Sequence, residues 1–301
     1  MKKPWLAVVK PTGWGNPWMS LIMAVALGFG PSLSARAATF MVTNVQDEGV
    51  GSLRKAIDDA NAAEGADTIE FQSGLAGTIT LSSALPAIAS DVTLNGPGAA
   101  QLSVSGNHEV RPFAINSGTV VINGLSIING FADSSGGLLN GGTLTLTNST
   151  VSGNSANYYG GGIYNEGPLT LTNSTISGNS AQRNGGGLYN YKGTLTLTNS
   201  TVSGNWARYG GGLFNNNYGT LTLTNSTVSG NSANDYGGGL SNEGTLTLTH
   251  SILAQNTSPN GLDIYHLSGE ISSSFSLIGS SSGGHGITQG VNGNLVDVDP
   301  Q

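Results

Sequence analysis

Between residues 142 and 265 leucine and threonine alternate in short bursts, and clusters of Asn, Ser and Gly separate the bursts. GTLTLTNSTVSGNSANYYGGGIYNE is followed by GPLTLTNSTISGNSAQRNGGGLYNYK, GTLTLTNSTVSGNWARYGGGLFNNNY, GTLTLTNSTVSGNSANDYGGGLSNE and a decaying GTLTLTHSILAQN. The units start at Gly142, Gly167, Gly193, Gly219 and Gly244, spaced by 25, 26, 26 and 25 residues. A fixed period of this size marks a solenoid whose units are stable only when stacked. Within a unit, Leu144 and Leu146 alternate with Thr143, Thr145 and Thr147, the period of two that puts leucines on one face of a strand and threonines on the other. A second strand carries Val151 inward and a third carries Ile163, which predicts three short strands per coil of about 25 residues.

A leucine-rich repeat has a comparable period, but there the Asn comes later and the return is helical or extended. Here Asn148 follows Leu146 by two residues, and the return carries a Gly triplet that weakens a helix. The pattern therefore predicts an all-β parallel β-helix. In such a stack Asn148, Asn173, Asn199 and Asn225 form one column and Asn154, Asn179, Asn205 and Asn231 another. Their amides can hydrogen-bond from coil to coil, and Asn also tolerates the left-handed backbone of a corner.

Outside the repeats the same alternation is worn. It places Ile69, Phe71, Ile79, Leu81, Val92, Leu94, Leu102, Val104, Phe113, Ile115, Val120, Ile122, Leu125 and Ile127 inward. Before them, Leu53, Ala56, Ile57 and Ala60 follow helical spacing, with Ser52 as N-cap and Gly65 as stop. A lone amphipathic helix ahead of a solenoid is expected to cap its apolar end. The first 37 residues join a basic start (Lys2, Lys3, Lys10), an apolar run (Leu21 to Phe29) and Ala35-Arg36-Ala37, the pattern of a signal peptide with the mature chain starting at Ala38. The expected organisation is thus 1–37 signal peptide and 38–301 one β-helix domain. The domain divides into a cap (38–66), irregular coils (67–141), regular repeats (142–265) and degenerate coils (266–301). The closing NLVDVDPQ lacks a cap-like amphipathic element, as in a chain that continues.

Composition changes this picture in three ways. Of 301 residues 47 are Gly and only 9% are charged, yet the alternating leucines supply the buried stripe that a disordered tract lacks. Removing residues 1–37 leaves 6 basic against 17 acidic residues, a net charge of −11 that disfavours nucleic acid as a partner. There is no cysteine, so an exported chain would hold together without disulfides or thiolate metal sites. No transmembrane segment is expected after the signal, and no cofactor.

The segment GSLRKAIDDANAAEGADTIEF resembles the N-terminal part of bacterial exported proteins of the CSLREA type, with Gly51 at the place of that motif's leading Cys. The repeat SGNSAxxxGGGIYN is similar to short motifs of polymorphic outer-membrane proteins. These resemblances imply a right-handed, pectate-lyase-like parallel β-helix. They also imply secretion or display at the cell surface or outer membrane, and adhesion to a glycan or a host or matrix surface. NLVDVDPQ is similar to the region shortly before a C-terminal sorting segment in related proteins.

Candidate chemistry is sparse. The carboxylates of the four full repeats are Glu166, Asp235 and Glu243. Glu166 and Glu243 stand three coils apart, or ~14 Å at about 4.8 Å per coil, too far for a hydrolase pair. Asp235 and Arg208 read as a surface ion pair. His108, His250, His266 and His285 show no metal-ligand spacing. Asp91, Glu109 and Arg111 in the irregular coils are what a polysaccharide lyase or glycoside hydrolase would have to build on. The pattern favours a non-enzymatic reading, with no catalytic residues and no metal site. The expected binding residues are two aromatic rows flanking a Gly floor, Tyr164, Tyr189 and Phe214 after the triplets and Tyr159, Tyr209 and Tyr236 before them. A second alternative is an ice-binding lattice made by Thr145 and Thr147, Thr170 and Thr172, Thr196 and Thr198, Thr222 and Thr224, continued by Thr247 and Thr249.

Overall fold

The alternation of the TLTLT segments becomes a one-sided strand in every coil. Leu144, Leu146, Leu169, Leu171, Leu195, Leu197, Leu221, Leu223, Leu246 and Leu248 are all at most 1% exposed, while the threonines between them are half-buried. The computed structural model describes residues 36–280, 282 and 286–298. The expected signal segment lies outside the described residues, except for Arg36 and Ala37.

All strand pairs among the described residues are parallel, and consecutive strands of one sheet lie one coil apart in sequence. Leu144 pairs with Leu169, Leu169 with Leu195, Leu195 with Leu221 and Leu221 with Leu246, so like residues stack on like. The leucine-threonine sheet holds ten strands, from Thr39–Val42 to Ile271–Ser274. A second sheet of ten runs from Gly77–Thr80 to Leu295–Val296 and contains the TVS strands. A third, of five, runs from Phe131–Ser134 to Ser232–Tyr236, and a fourth, of seven, from Phe113–Ile115 to Ile264–His266. The protein is a parallel β-solenoid of about ten turns, consistent with the right-handed winding expected for such connections.

A regular coil therefore has four strands where the leucine pattern gives three. The additional one, Ser155–Tyr159 and its equivalents, turns only a small residue inward, and Ala156, Ala181 and Ala207 form a minor core of their own. Its pairing slips between Ala156 and Tyr159 and between Ala181 and Asn184. A strand without large apolar residues and with a broken register leaves no period of two to read.

The inward residues expected in the irregular coils are all buried and join one continuous core with the repeat leucines. Corners follow from backbone chemistry. Asn148, Asn173, Asn199 and Asn225 sit at φ near +50°, left-handed, with His250 taking the same place at φ +48°. At the Gly triplet two needs coincide: Gly160 is at φ +62°, and a Cβ on Gly161 would lie 2.2 Å from the Ser180 carbonyl of the next coil.

Helix α1 (Leu53–Ala62) buries Leu53, Ala56, Ile57 and Ala60, and the Ser52 side chain accepts from the Lys55 N–H. The chain leaves the helix at Ala63, which is extended, two residues before the expected stop at Gly65. α1 packs on the first two strands of the leucine-threonine sheet and contributes to the main core.

Candidate functional site

The ring-bearing positions arise from the corner between the third and fourth sheets. Tyr159, Tyr209 and Tyr236 end their strands just before the Gly triplet, and Tyr164, Tyr189 and Phe214 sit mid-strand just after it. The two rows are not held apart by a bare glycine floor. Tyr159 and Tyr189 meet across it with ring centroids 5.1 Å apart, and Tyr189 also touches Tyr164 (5.2 Å) and Phe214 (5.4 Å). As a result Tyr189 and Phe214, expected to face solvent, are only 6% and 5% exposed. They point away from the coil interior but lie under neighbouring rings.

Tyr191 and Tyr265 also belong to this band and were not among the expected residues. Tyr191 stacks on Tyr189 (6.1 Å) and Tyr265 on Tyr236 (4.6 Å), which itself stacks on Tyr209 (5.6 Å). Pairing of Ser241 with Tyr265 shows that GLDIYHL is a worn copy of GGGIYN, a signal present in the sequence. Burial pushes the Tyr164 hydroxyl up to about 12, reinforced by the nearby Glu166 carboxylate. Tyr189 is raised further by the same cause. Both are neutral donors at any physiological pH.

Chain cations already occupy parts of the band. Arg183 lies over the Tyr158 ring (5.6 Å), Lys192 over Tyr191 (5.8 Å) and Arg208 over Tyr209 (5.1 Å). Arg208 donates through Nε to Asp235 Oδ2 at 2.6 Å, the expected surface ion pair, and Lys192 Nζ lies 3.9 Å from Glu166. Glu243 differs. Its carboxyl group has no hydrogen-bond or ion-pair partner among the described residues, and burial raises its pKa. It borders a hollow of about 360 Å³ whose other walls include Tyr209, Phe214, Tyr236, Ser241 and Tyr265.

Several of the charged and histidine side chains among the described residues have structural partners. Asp91 Oδ1 accepts from the Thr119 N–H (2.7 Å), and Arg111 donates to the carbonyls of Ser135 (2.9 Å) and Ser134 (3.1 Å). Glu109 borders a shallow hollow with Arg111 and apolar neighbours. His250 serves the left-handed corner and stacks on Phe275 (5.2 Å). His266 ends a ladder of side-chain amides, 3.1 Å from Asn242, and burial lowers its pKa. His285 lies outside the described residues. Among the described residues no three His, Cys, Asp or Glu gather as metal ligands. No helix among them is long and apolar enough to cross a membrane, which says nothing about a β-barrel.

The threonine lattice has the expected register. Thr145, Thr170, Thr196, Thr222 and Thr247 are successive partners, as are Thr147, Thr172, Thr198, Thr224 and Thr249.

No family model and no curated protein matches the chain. Among solved structures it is similar to one described as the crystal structure of pectate lyase Pel9A, at a TM-score of 0.40 and 12% identity, covering 81% of this chain and 78% of that one. The β-solenoid follows from the strand pairing described above.

Proposed function

We propose that the protein is an exported binding protein, secreted or displayed at the cell surface or outer membrane, adhesin-like and non-enzymatic, that meets a glycan or a host or matrix surface through its aromatic band. The observation that supports this reading is the band itself. Tyrosine rings from successive coils are gathered along one corner of the solenoid, and Tyr159, Tyr164, Tyr209, Tyr236 and Tyr265 keep part of their surface open to solvent. A polysaccharide lyase or glycoside hydrolase would need several charged groups converging on one bond, and among the described residues no three His, Asp or Glu gather as they would at a metal site.

A glycan and matrix-protein array, run beside a calcium-dependent polygalacturonate cleavage assay, tests it. Binding without cleavage is expected. Tyr159→Ala combined with Tyr164→Ala should weaken that binding at least about tenfold, since each stacked ring contributes roughly 1–3 kcal/mol by analogy with nucleobase stacking. Tyr189→Ala should instead lower thermal stability, because that ring is covered. Cleavage activity would overturn the reading.

The threonine register favours a second reading, ice binding. Thr is also an ordinary solvent-facing strand residue, so the purified protein is expected to leave ice recrystallisation unchanged. Inhibition that Thr196→Leu abolishes would move the function to that face.

A further inference from the structure

The ring column after the Gly triplets runs Tyr164, Tyr189, Phe214, Ser241, Tyr265, each residue paired in register with the next. Ser241 is the one member without a ring. Phe214 and Tyr265 are thus two coils apart, roughly 10 Å along the stack, where stacked rings need about 4.5–7 Å. Tyr265 leans toward the other row and stacks on Tyr236, so the place left by Ser241 stays open as the hollow of about 360 Å³. Glu243, two residues after Ser241, stands at its rim.

We propose that this hollow is a receptor for an organic ammonium ion of the lysine type, an alkyl-NH3+ or its N-methylated form, held against Tyr236 and Tyr265 with Glu243 as counter-charge. The inference rests on reading the aromatic band as a binding surface, and it names the chemistry of one ligand.

The chain contains its own precedent three coils earlier. Glu166 stands at the position equivalent to Glu243, and there a lysine, Lys192, lies 3.9 Å from the carboxylate and over a neighbouring ring, Tyr191. Beside Glu243 the place of Tyr191 is taken by Leu267 and the rings come from Tyr236 and Tyr265 instead, and no basic side chain is among the described residues that line the hollow. Arg208, on neighbouring Tyr209, is already paired with Asp235. An electron-rich ring face and an uncompensated, half-buried carboxylate both favour a cation over a neutral or anionic group. The raised pKa of Glu243 agrees with that unmet demand, because a bound ammonium would bring it back down.

Calorimetric titration of the full chain with Nα-acetyl-lysine methylamide, its ε-trimethylated form and the neutral Nα-acetyl-norleucine methylamide tests the proposal. Both cations should bind and the neutral analogue should not. Glu243→Gln should weaken both roughly tenfold or more. Ser241→Tyr, which restores the ring column, should block the hollow without lowering the melting temperature. Should that variant fail to fold, Glu243→Gln decides alone. Butylammonium in a parallel titration separates recognition of the ammonium group by itself from recognition of a lysine within a polypeptide, and tight binding of either supports the proposal. No binding of any cation at millimolar concentration, equal binding of the neutral analogue, or indifference to Glu243→Gln would overturn it. A protein that binds an array ligand but no cation overturns this inference alone. One that binds the cations but no array ligand leaves it standing and overturns the wider reading.

Discussion

Two asparagine columns that look interchangeable in the sequence do different work. Asn199 and its equivalents sit at corners with left-handed backbone and exposed side chains, so their role is conformational. Asn205 is 1% exposed, donates to the Ile176 carbonyl (3.0 Å) and Asn231 Oδ1 (2.9 Å), and accepts from the Asn179 N–H (2.9 Å) and amide (3.0 Å). Asn205→Ala would leave those partners buried and unmet, and is expected to cost about 3 kcal/mol or more in chemical denaturation. Asn199→Gly should stay within about 0.5 kcal/mol, because Gly accepts the same φ. Equal losses would mean that the two columns are misassigned. A third column, Asn140, Asn165, Asn190, Asn215 and Asn242, forms a second buried ladder with amide contacts of 2.7–2.8 Å. The sequence shows these residues at the repeat period, but their position beside exposed-looking tyrosines gives no sign of burial.

At the scale of the strand, what could be read in advance depended on side-chain size. The leucine-threonine and TVS strands were legible because large apolar residues at every second position can settle only one way. The Ala-centred strand and the collapse of the two ring rows were not, since a period of two reports which side of a strand a residue leaves by and not what covers it outside. Tyr189 illustrates the limit, outward by parity and buried by its neighbours. Parity itself is open to a direct test. Leu197→Asp puts an unpaired carboxylate into the core and is expected to cost more than about 4 kcal/mol or prevent folding. Thr196→Asp, one residue away on the half-solvated face, should cost about 1 kcal/mol or less by the same denaturation measurement. Similar damage from both would refute the assignment of faces.

For the molecule as a stack, each coil is held chiefly by its neighbours, so an end coil can open without the centre. The buried ladder Asn154, Asn179, Asn205, Asn231, Asn256 ends toward the C-terminal coils on an acid, where Asp263 Oδ1 accepts from the Asn256 amide (2.8 Å) and N–H (3.1 Å). Asp263 is 2% exposed, and burial raises its pKa despite those hydrogen bonds and one from the Ser280 N–H, which pull it down. With a raised folded-state pKa the native coil holds its proton more tightly than the unfolded chain does. The associated stability is therefore complete below the unfolded value of about 3.9 and is lost as pH rises through the folded value. Hydrogen exchange at the amides of Leu253 and Ile264 is expected to report this loss, with protection falling above the unfolded pKa to a plateau once Asp263 is ionised. Amides of Leu197 and Val202, in the middle of the stack, should report a shallower dependence, since their opening does not require the end coil's titration alone. Asp263→Asn removes the ionisable group and should remove the slope at the end coil. A slope that survives the substitution would place the pH-sensitive group elsewhere.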